Sequence, residues 1–187
     1  MRLVAWQAAD LLRHLDAAIT VYGQAMGYPR DLLETRKGYV AAHAHRPDFR
    51  AVATLGDDDE LLGFGYGYRS APGQWWHDQV VGALRRDQRR WWFHDCFELV
   101  ELHVRPDAQG RGLGEGLLRA LLAGTGRSTV LLSTPEYRDN RPGRAWQLYR
   151  RTGFQDVLRD HRFTGDSRPF AVLGRALPLE PRNPHAG

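Results

Sequence analysis

The chain of 187 residues contains one cysteine, Cys96, and one lysine, Lys37. A lone cysteine leaves no internal disulfide, no CxxC redox pair and no cysteine-rich zinc site. A lone lysine is as restrictive, because a nucleotide-binding phosphate loop needs Gly-Lys-Ser/Thr and a Schiff-base enzyme needs a reactive lysine amine. Lys37 is followed by Gly38 inside a helical pattern, so neither chemistry is expected. The sequence also lacks any run of the roughly 18 to 20 apolar residues that a membrane span takes. Met1 to Asp10 lacks the charged-then-apolar pattern of a leader peptide. A soluble, cytoplasmic protein is the expectation.

What is present suits one mixed α/β domain. With 42% hydrophobic and 26% charged residues, the composition is that of an ordinary globular protein. A chain of this length can bury a full core without staples. The net charge of +4 admits an acidic partner, either nucleic acid or a phosphorylated cofactor. The arginines that carry it are spread along the chain, and only Arg85 to Trp92 interleaves basic and aromatic residues. Nucleic acid is therefore the weaker expectation.

Along the chain, Arg2 to Trp6 reads as a strand and Ala9 to Met26 as one helix, with Leu12, Leu15, Ala18, Ile19 and Tyr22 at helical spacing. Gly27 and Pro29 stop it, and Leu32 to His45 forms a second helix ended by Pro47. A hairpin of Arg50 to Leu55 and Glu60 to Tyr68 follows. In its second strand Gly63, Gly65 and Gly67 alternate with Phe64, Tyr66 and Tyr68, so that one face is bare and open to a backbone or a ligand. Residues Ser70 to Asp95 are a tryptophan-rich insert with a helix from Asp78 to Arg90. Trp75, Trp76, Trp91 and Trp92 give it the makings of a lid, a pocket wall or a homodimer contact, with packing alone as the alternative. Strands are predicted at Phe97 to Val104, Ser128 to Thr134, Phe154 to Phe163 and Phe170 to Arg175, and helices at Glu115 to Ala123 and Arg144 to Arg151. The domain spans residues 1–177, and residues 178–187 are expected to fray.

The chemistry gathers where a strand passes into a helix through Gln109-Gly-Arg-Gly-Leu-Gly114. Glycines let the backbone approach a ligand, the first helical N–H groups point outward unpaired, and the helix dipole favours negative charge, so a diphosphate is the natural guest. The dinucleotide fingerprint needs glycines at i, i+2 and i+5. Counting from Gly110 or Gly112 puts Glu115 or Leu117 at the last position, which excludes it.

This loop resembles the acyl-coenzyme A signature of the GNAT superfamily of N-acyltransferases, with Gln109, Gly112 and Gly114 in the matching positions after a Val-x-Pro strand end. Ala145-Trp-Gln-Leu-Tyr149-Arg-Arg-Thr-Gly-Phe154 resembles the family's later helix-to-strand element, in the right order and beyond one predicted strand. The resemblance covers about Phe49 to Phe163. It implies a central mixed, mostly antiparallel sheet, splayed at the cofactor site and flanked by helices. It also implies acetyl-CoA as acyl donor and an amine as acceptor. Leu102, Val104, Gln109, Gly110, Arg111, Gly112, Leu113 and Gly114 are the residues it implies for binding the donor. The asparagine common three residues before the alanine of the second element is absent, Asn140 lying five before Ala145.

In that chemistry a base frees the amine and an acid protonates the departing thiolate. By resemblance Tyr149 is the acid. Strand alternation puts Val100, Leu102 and Val104 on one face and Leu99, Glu101 and His103 on the other, with the aliphatic set expected against helices and Glu101 and His103 toward the cleft. Glu101 is the first candidate for base, matching a glutamate that several such enzymes use, and His103 the second. Glu136 and Asp139 are loop acids that could face the amine. His43 and His45, two apart on a helix, are poor metal partners. Cys96 reads as a small buried residue. A non-catalytic CoA-binding sensor or assembly module is the alternative; it would need the glycine loop but neither Tyr149 nor Glu101.

Overall fold

Seven strands build one sheet in a computed structural model that describes residues 1–136 and 143–180. In chain order they are β1 (Arg2–Trp6), β2 (Arg50–Leu55), β3 (Leu61–Arg69), β4 (Cys96–Val104), β5 (Thr129–Pro135), β6 (Gln155–His161) and β7 (Phe170–Ala176). Their order across the sheet is β1-β2-β3-β4-β5-β7-β6. Every neighbouring pair is antiparallel except β4 and β5. The sheet is therefore mixed, mostly antiparallel and open, as expected.

Helices cover both faces. Over β1 to β3 lie α1 (Ala8–Arg13), α2 (Leu15–Met26) and α3 (Arg30–His43), burying Leu11, Ile19, Tyr22 and Val40 against Ala53, Phe64 and Tyr66. On the same face, α4 (Trp75–Ala83) and α5 (Arg86–Phe93) bury Trp76, Val80 and Trp92 against Leu131 and Val172. The opposite face is closed by α6 (Leu113–Leu122) and α7 (Arg144–Arg151), whose Leu117, Leu118, Leu121 and Leu148 meet Phe97, Leu99, Val130 and Leu173.

Four expectations are corrected. The first helix is two, because His14 leaves helical geometry (φ −102°, ψ 19°) where its ring stacks on Trp6 at 4.9 Å. The helix of the insert is also two, broken where Leu84 turns extended and buries its side chain. The bare glycine face of β3 is filled by protein: a Cβ on Gly65 would lie 2.8 Å from Leu102 Cδ1, and one on Gly63 3.1 Å from Leu117 Cδ1. Those glycines bring β4 and α6 close to the strand and leave no room for a ligand there.

The fourth correction is to β4. Tyr66 pairs with Glu101 but Gly67 with Leu99, so Val100 is an extra residue, a bulge that shifts the alternation by one. Leu99 now joins Leu102 and Val104 in the core beneath α6 and α7, while Val100 packs on the other face among the residues under α2 and α3. Glu101 and His103 share that second face, under helices and beside the sheet opening.

Candidate active site

β4 and β5 pair only through Cys96–Thr129, Phe97–Val130 and Glu98–Leu131. Beyond that point β4 runs on to Val104 along β3 and β5 runs on to Pro135 along β7, so the two parallel strands part and the sheet opens. Glu101 and His103 lie on β4 beyond its last pair with β5, and the loop Gln109 to Gly114 follows the end of that strand.

At its end the chain makes a 3-10 turn, Pro106–Ala108, and then two left-handed glycines, Gly110 (φ 80°) and Gly112 (φ 79°), the latter capping α6. A Cβ on either would meet nothing within 4 Å, so the space above the loop is open to a ligand. The first intrahelical bond of this turn is Gly116 N–H to Gly112 C=O at 3.0 Å, so the N–H groups of Leu113 and Gly114 stand at the helix start without an intrahelical acceptor. An open glycine cradle on a helix N-terminus fits the diphosphate of a CoA-type donor. Gln109 braces the loop: its Nε2 donates to the Val104 carbonyl at 3.0 Å and its Oε1 accepts from Arg144 at 3.3 Å. Gly114 has a packing role, since its Cβ would stand 3.4 Å from Leu148. Arg111 is exposed beside the cradle, and Leu102 and Val104 lie half-buried under α6.

Tyr149, on α7, is buried in the cluster under α6 and α7 with its ring 5.4 Å from that of Phe154. Burial, and then the charge of Glu101, push its phenol well above the usual range. It therefore holds its proton at any physiological pH, as a donor must.

Glu101 occupies the other side, 5% exposed. Its Oε1 accepts from Arg36 Nη2 of α3, and its Oε2 lies 2.5 Å from His103 Nε2. Burial works against its charge, but Arg36 and the His103 hydrogen bond prevail and hold the carboxyl below its usual range. His103 meets Tyr22 edge-on at 5.0 Å, and the Arg36 guanidinium lies 5.1 Å from the centre of the same Tyr22 ring. Next to them His43 Nδ1 is 3.0 Å from Tyr66 Oη. Burial and then Arg36 push His43 down to about 4, so it stays neutral.

Arg36 and Tyr22 were not among the residues the sequence singled out. Tyr22 was noted only for its place in a helical stripe, and Arg36 is one arginine in a chain rich in them. Glu98 was missed as well: buried on β4, it is pushed up to about 8 by burial, against the pull of Arg46 and a Tyr68 hydrogen bond. Glu136 is engaged by Arg159 at 2.6 Å and so is no free loop acid. Asn140 and Asp139 lie outside the described residues. Cys96 is buried and its thiol pushed up by that burial, an inert packing group. Among the described residues no three metal-ligating side chains cluster, and no helix is long and apolar enough to cross a membrane.

A mixed sheet opened between its two parallel strands, with a glycine cradle at a helix start and a buried carboxylate–histidine pair on β4, is the architecture that the resemblance to the N-acyltransferases implies. Residues 55–156 match the acetyltransferase (GNAT) domain family, and the chain belongs to it. A GCN5-like protein acetyltransferase of Mycobacterium tuberculosis is 43% identical over 95% of this chain and 98% of its own. Among solved structures, an aminoglycoside 6'-N-acetyltransferase complexed with coenzyme A superposes with a TM-score of 0.66 at 15% identity, covering 97% of this chain and all (100%) of that one. A ribosomal-protein-alanine N-acetyltransferase from Brucella melitensis gives a TM-score of 0.60 at 16% identity over 95% and 100%. At such identities these structures share the fold.

Proposed function

We propose that the protein transfers an acetyl group from acetyl-CoA to a primary amine of a protein or small molecule by direct attack. The observation that supports this reading is a pair of opposite chemistries on the two faces of the sheet, with the charge of Glu101 felt at Tyr149. A protonated phenol, Tyr149, comes from one face, and an ionised carboxylate with a histidine from the other. A pure CoA binder would need the cradle of Gly110, Gly112 and the α6 N-terminus but neither of these.

When bound, acetyl-CoA supplies a thioester carbonyl open to attack and a thiolate leaving group. The backbone N–H groups of Leu113 and Gly114 would hold its diphosphate, with Arg111 as an added contact. Leu102 and Val104 would flank the acyl arm along the β4 edge. In this reading Tyr149 gives its proton to the leaving sulfur, and the Glu101–His103 pair takes the proton that an ammonium must lose before it can attack.

The relative named a protein acetyltransferase puts protein amines first among acceptors to try. The test is to mix purified protein, acetyl-CoA and a panel of protein and small-molecule amines and to follow free thiol release. Amine-dependent thiol release with acetylated product is expected. Tight CoA binding without turnover on any amine would favour the sensor or assembly module instead.

A further inference from the structure

Building on the acetyltransferase reading, we propose that His103 takes the amine's proton through Nδ1, that Glu101 is a positioning residue holding the His103 ring, and that Arg36 of α3 keeps Glu101 charged for that task. This moves the base from the carboxylate to the imidazole beside it.

Three features of the contacts lead there. Both oxygens of Glu101 are engaged, Oε1 by Arg36 and Oε2 by His103 Nε2, and the group is buried, so no unclaimed oxygen is left to receive a substrate proton. A carboxylate held ionised by a guanidinium is also a weak proton acceptor. Facing that carboxylate, Nε2 must carry the ring's hydrogen, which leaves the lone pair on Nδ1. Among the described residues Nδ1 has no hydrogen-bond partner, while every other contact of the ring fixes its orientation: Tyr22 edge-on at 5.0 Å and Phe64 with its ring 5.8 Å away. A carboxylate that orients an imidazole and steadies its charged form is the division of labour found in hydrolytic triads.

The charged and titratable groups around His103 come from each element packed against it. From α2 Tyr22 is pushed up to about 12, chiefly by burial, and stays neutral. From α3 come Arg36 and the neutral His43, which bonds Tyr66 of β3. Arg168, just before β7, lies near Tyr22 and is matched by Asp166 at 2.6 Å. Among the described residues Glu101 is thus the one anion hydrogen-bonded to the ring, and Arg36 is the cation that tempers it.

The step balances as follows. The substrate ammonium gives one proton to Nδ1, and the freed nitrogen lone pair forms the N–C bond at the thioester carbon. The C–S bond breaks, and the thiolate takes the Tyr149 proton. The second proton of the attacking nitrogen returns to the phenolate directly or through water, and the imidazolium releases its proton to solvent. One amide, one thiol and one free proton result.

The experiment is the pH dependence of kcat/KM with an amine found active in the panel, for wild type and for His103→Gln, Glu101→Gln, Arg36→Met and Arg36→Lys. Circular dichroism and acetyl-CoA affinity would be checked for each. His103→Gln should lose roughly 10² to 10⁴ in kcat at neutral pH and lose the acid limb of the profile, with acetyl-CoA affinity unchanged. Glu101→Gln should keep an acid limb and move it to lower pH, because the imidazolium has lost its counter-charge. Arg36→Met should move that limb to higher pH, Arg36→Lys should restore it, and the double variant Arg36→Met/Glu101→Gln removes both charges if either single variant folds poorly. Nitrogen NMR of the His103 ring gives a readout apart from turnover, with hydrogen on Nε2 expected in the wild type. An acid limb that survives in His103→Gln and vanishes in Glu101→Gln would return the role to the carboxylate, and hydrogen on Nδ1 would overturn the assignment outright. A wild type that acetylates no amine overturns the acetyltransferase reading and this role with it. A wild type that turns over with none of these shifts overturns this role alone.

Discussion

The two sides of the sheet opening are built from different materials. The proposed donor side is backbone: two left-handed glycines and the N–H groups of Leu113 and Gly114 at a helix start, contributed by one stretch of nine residues, 106–114. The proposed acceptor side is made of side chains gathered from α2, α3, β3 and β4, with Tyr22, Arg36, Tyr66, Glu101 and His103 converging from positions up to 81 residues apart, 103 less 22. A backbone site depends on local chain geometry and tolerates changes in neighbouring side chains. A side-chain site depends on tertiary packing, and each member sets the charge state of the next.

The largest effect that would sharpen this contrast belongs to the residue between the two sides. Tyr149→Phe keeps the ring against Phe154 and deletes the proton, so kcat should fall by roughly 10² to 10⁴ with acetyl-CoA affinity nearly unchanged. Steady-state kinetics beside calorimetric affinity would check it. Wild-type rates would show that the thiolate leaves without help from this phenol.

A second substitution breaks the donor side alone. In Gly112→Asp a side chain enters the open space above the loop and sets a negative charge where a diphosphate would lie. Like charges about 4 Å apart near a protein surface repel by ~4 kcal/mol, so CoA affinity should drop by at least roughly 10²-fold. Aspartate tolerates left-handed backbone better than most residues, so the fold should persist, as circular dichroism would report. Undiminished calorimetric affinity in the folded variant would remove the cofactor from this loop.

The same contrast explains what the sequence made legible. Gln109 to Gly114 and Ala145 to Phe154 are contiguous, so the glycines point to the cradle and the resemblance to the family's second element points to the tyrosine. The seven strands were also readable from their apolar patterns, to within a residue or two at most ends. What failed depended on contacts far along the chain. Period-2 alternation misassigned Leu99 and Val100, because the bulge is visible only once β3 is paired alongside. The glycines of β3 looked like room for a ligand until Leu102 and Leu117 were seen to fill it. Arg36 carried no local signal at all, since only the fold brings α3 over Glu101.

The buried polar face offers a third test, on stability. Glu98 is held up to about 8 in the folded chain against an ordinary value of 4.5. Below about 4.5 the group is protonated in both states and has no effect on stability. Between there and about 8 the unfolded chain ionises while the folded chain keeps its proton, so the folded state loses ground as pH rises. Glu98→Gln removes that dependence. Urea denaturation at acid and at mildly alkaline pH should show the variant gaining on wild type by on the order of 2 to 4 kcal/mol at the higher pH. An equal difference at both pH values would mean that Glu98 is already ionised in the fold.

The smallest expected effect concerns the insert, where the tryptophans divide in two. Trp76 is buried and its Nε1 donates to Ser133 Oγ at 3.1 Å, on the part of β5 beyond its pairing with β4. Trp75 is 56% exposed, with its ring 5.4 Å from that of Phe163. Truncating Trp76 would open the core, at a cost of roughly 3 to 5 kcal/mol, and so would not report on substrate alone. Trp75→Ala removes an exposed ring with little loss of packing. If the insert walls the acceptor side, this variant should raise acceptor KM about 3- to 10-fold, the ~1 kcal/mol scale of one aromatic contact, and leave acetyl-CoA KM within error. Equal shifts in both KM values would make the insert common ground to the two sides of the opening. A change confined to the oligomeric state, read by light scattering, would make Trp75 part of a contact between copies of this chain.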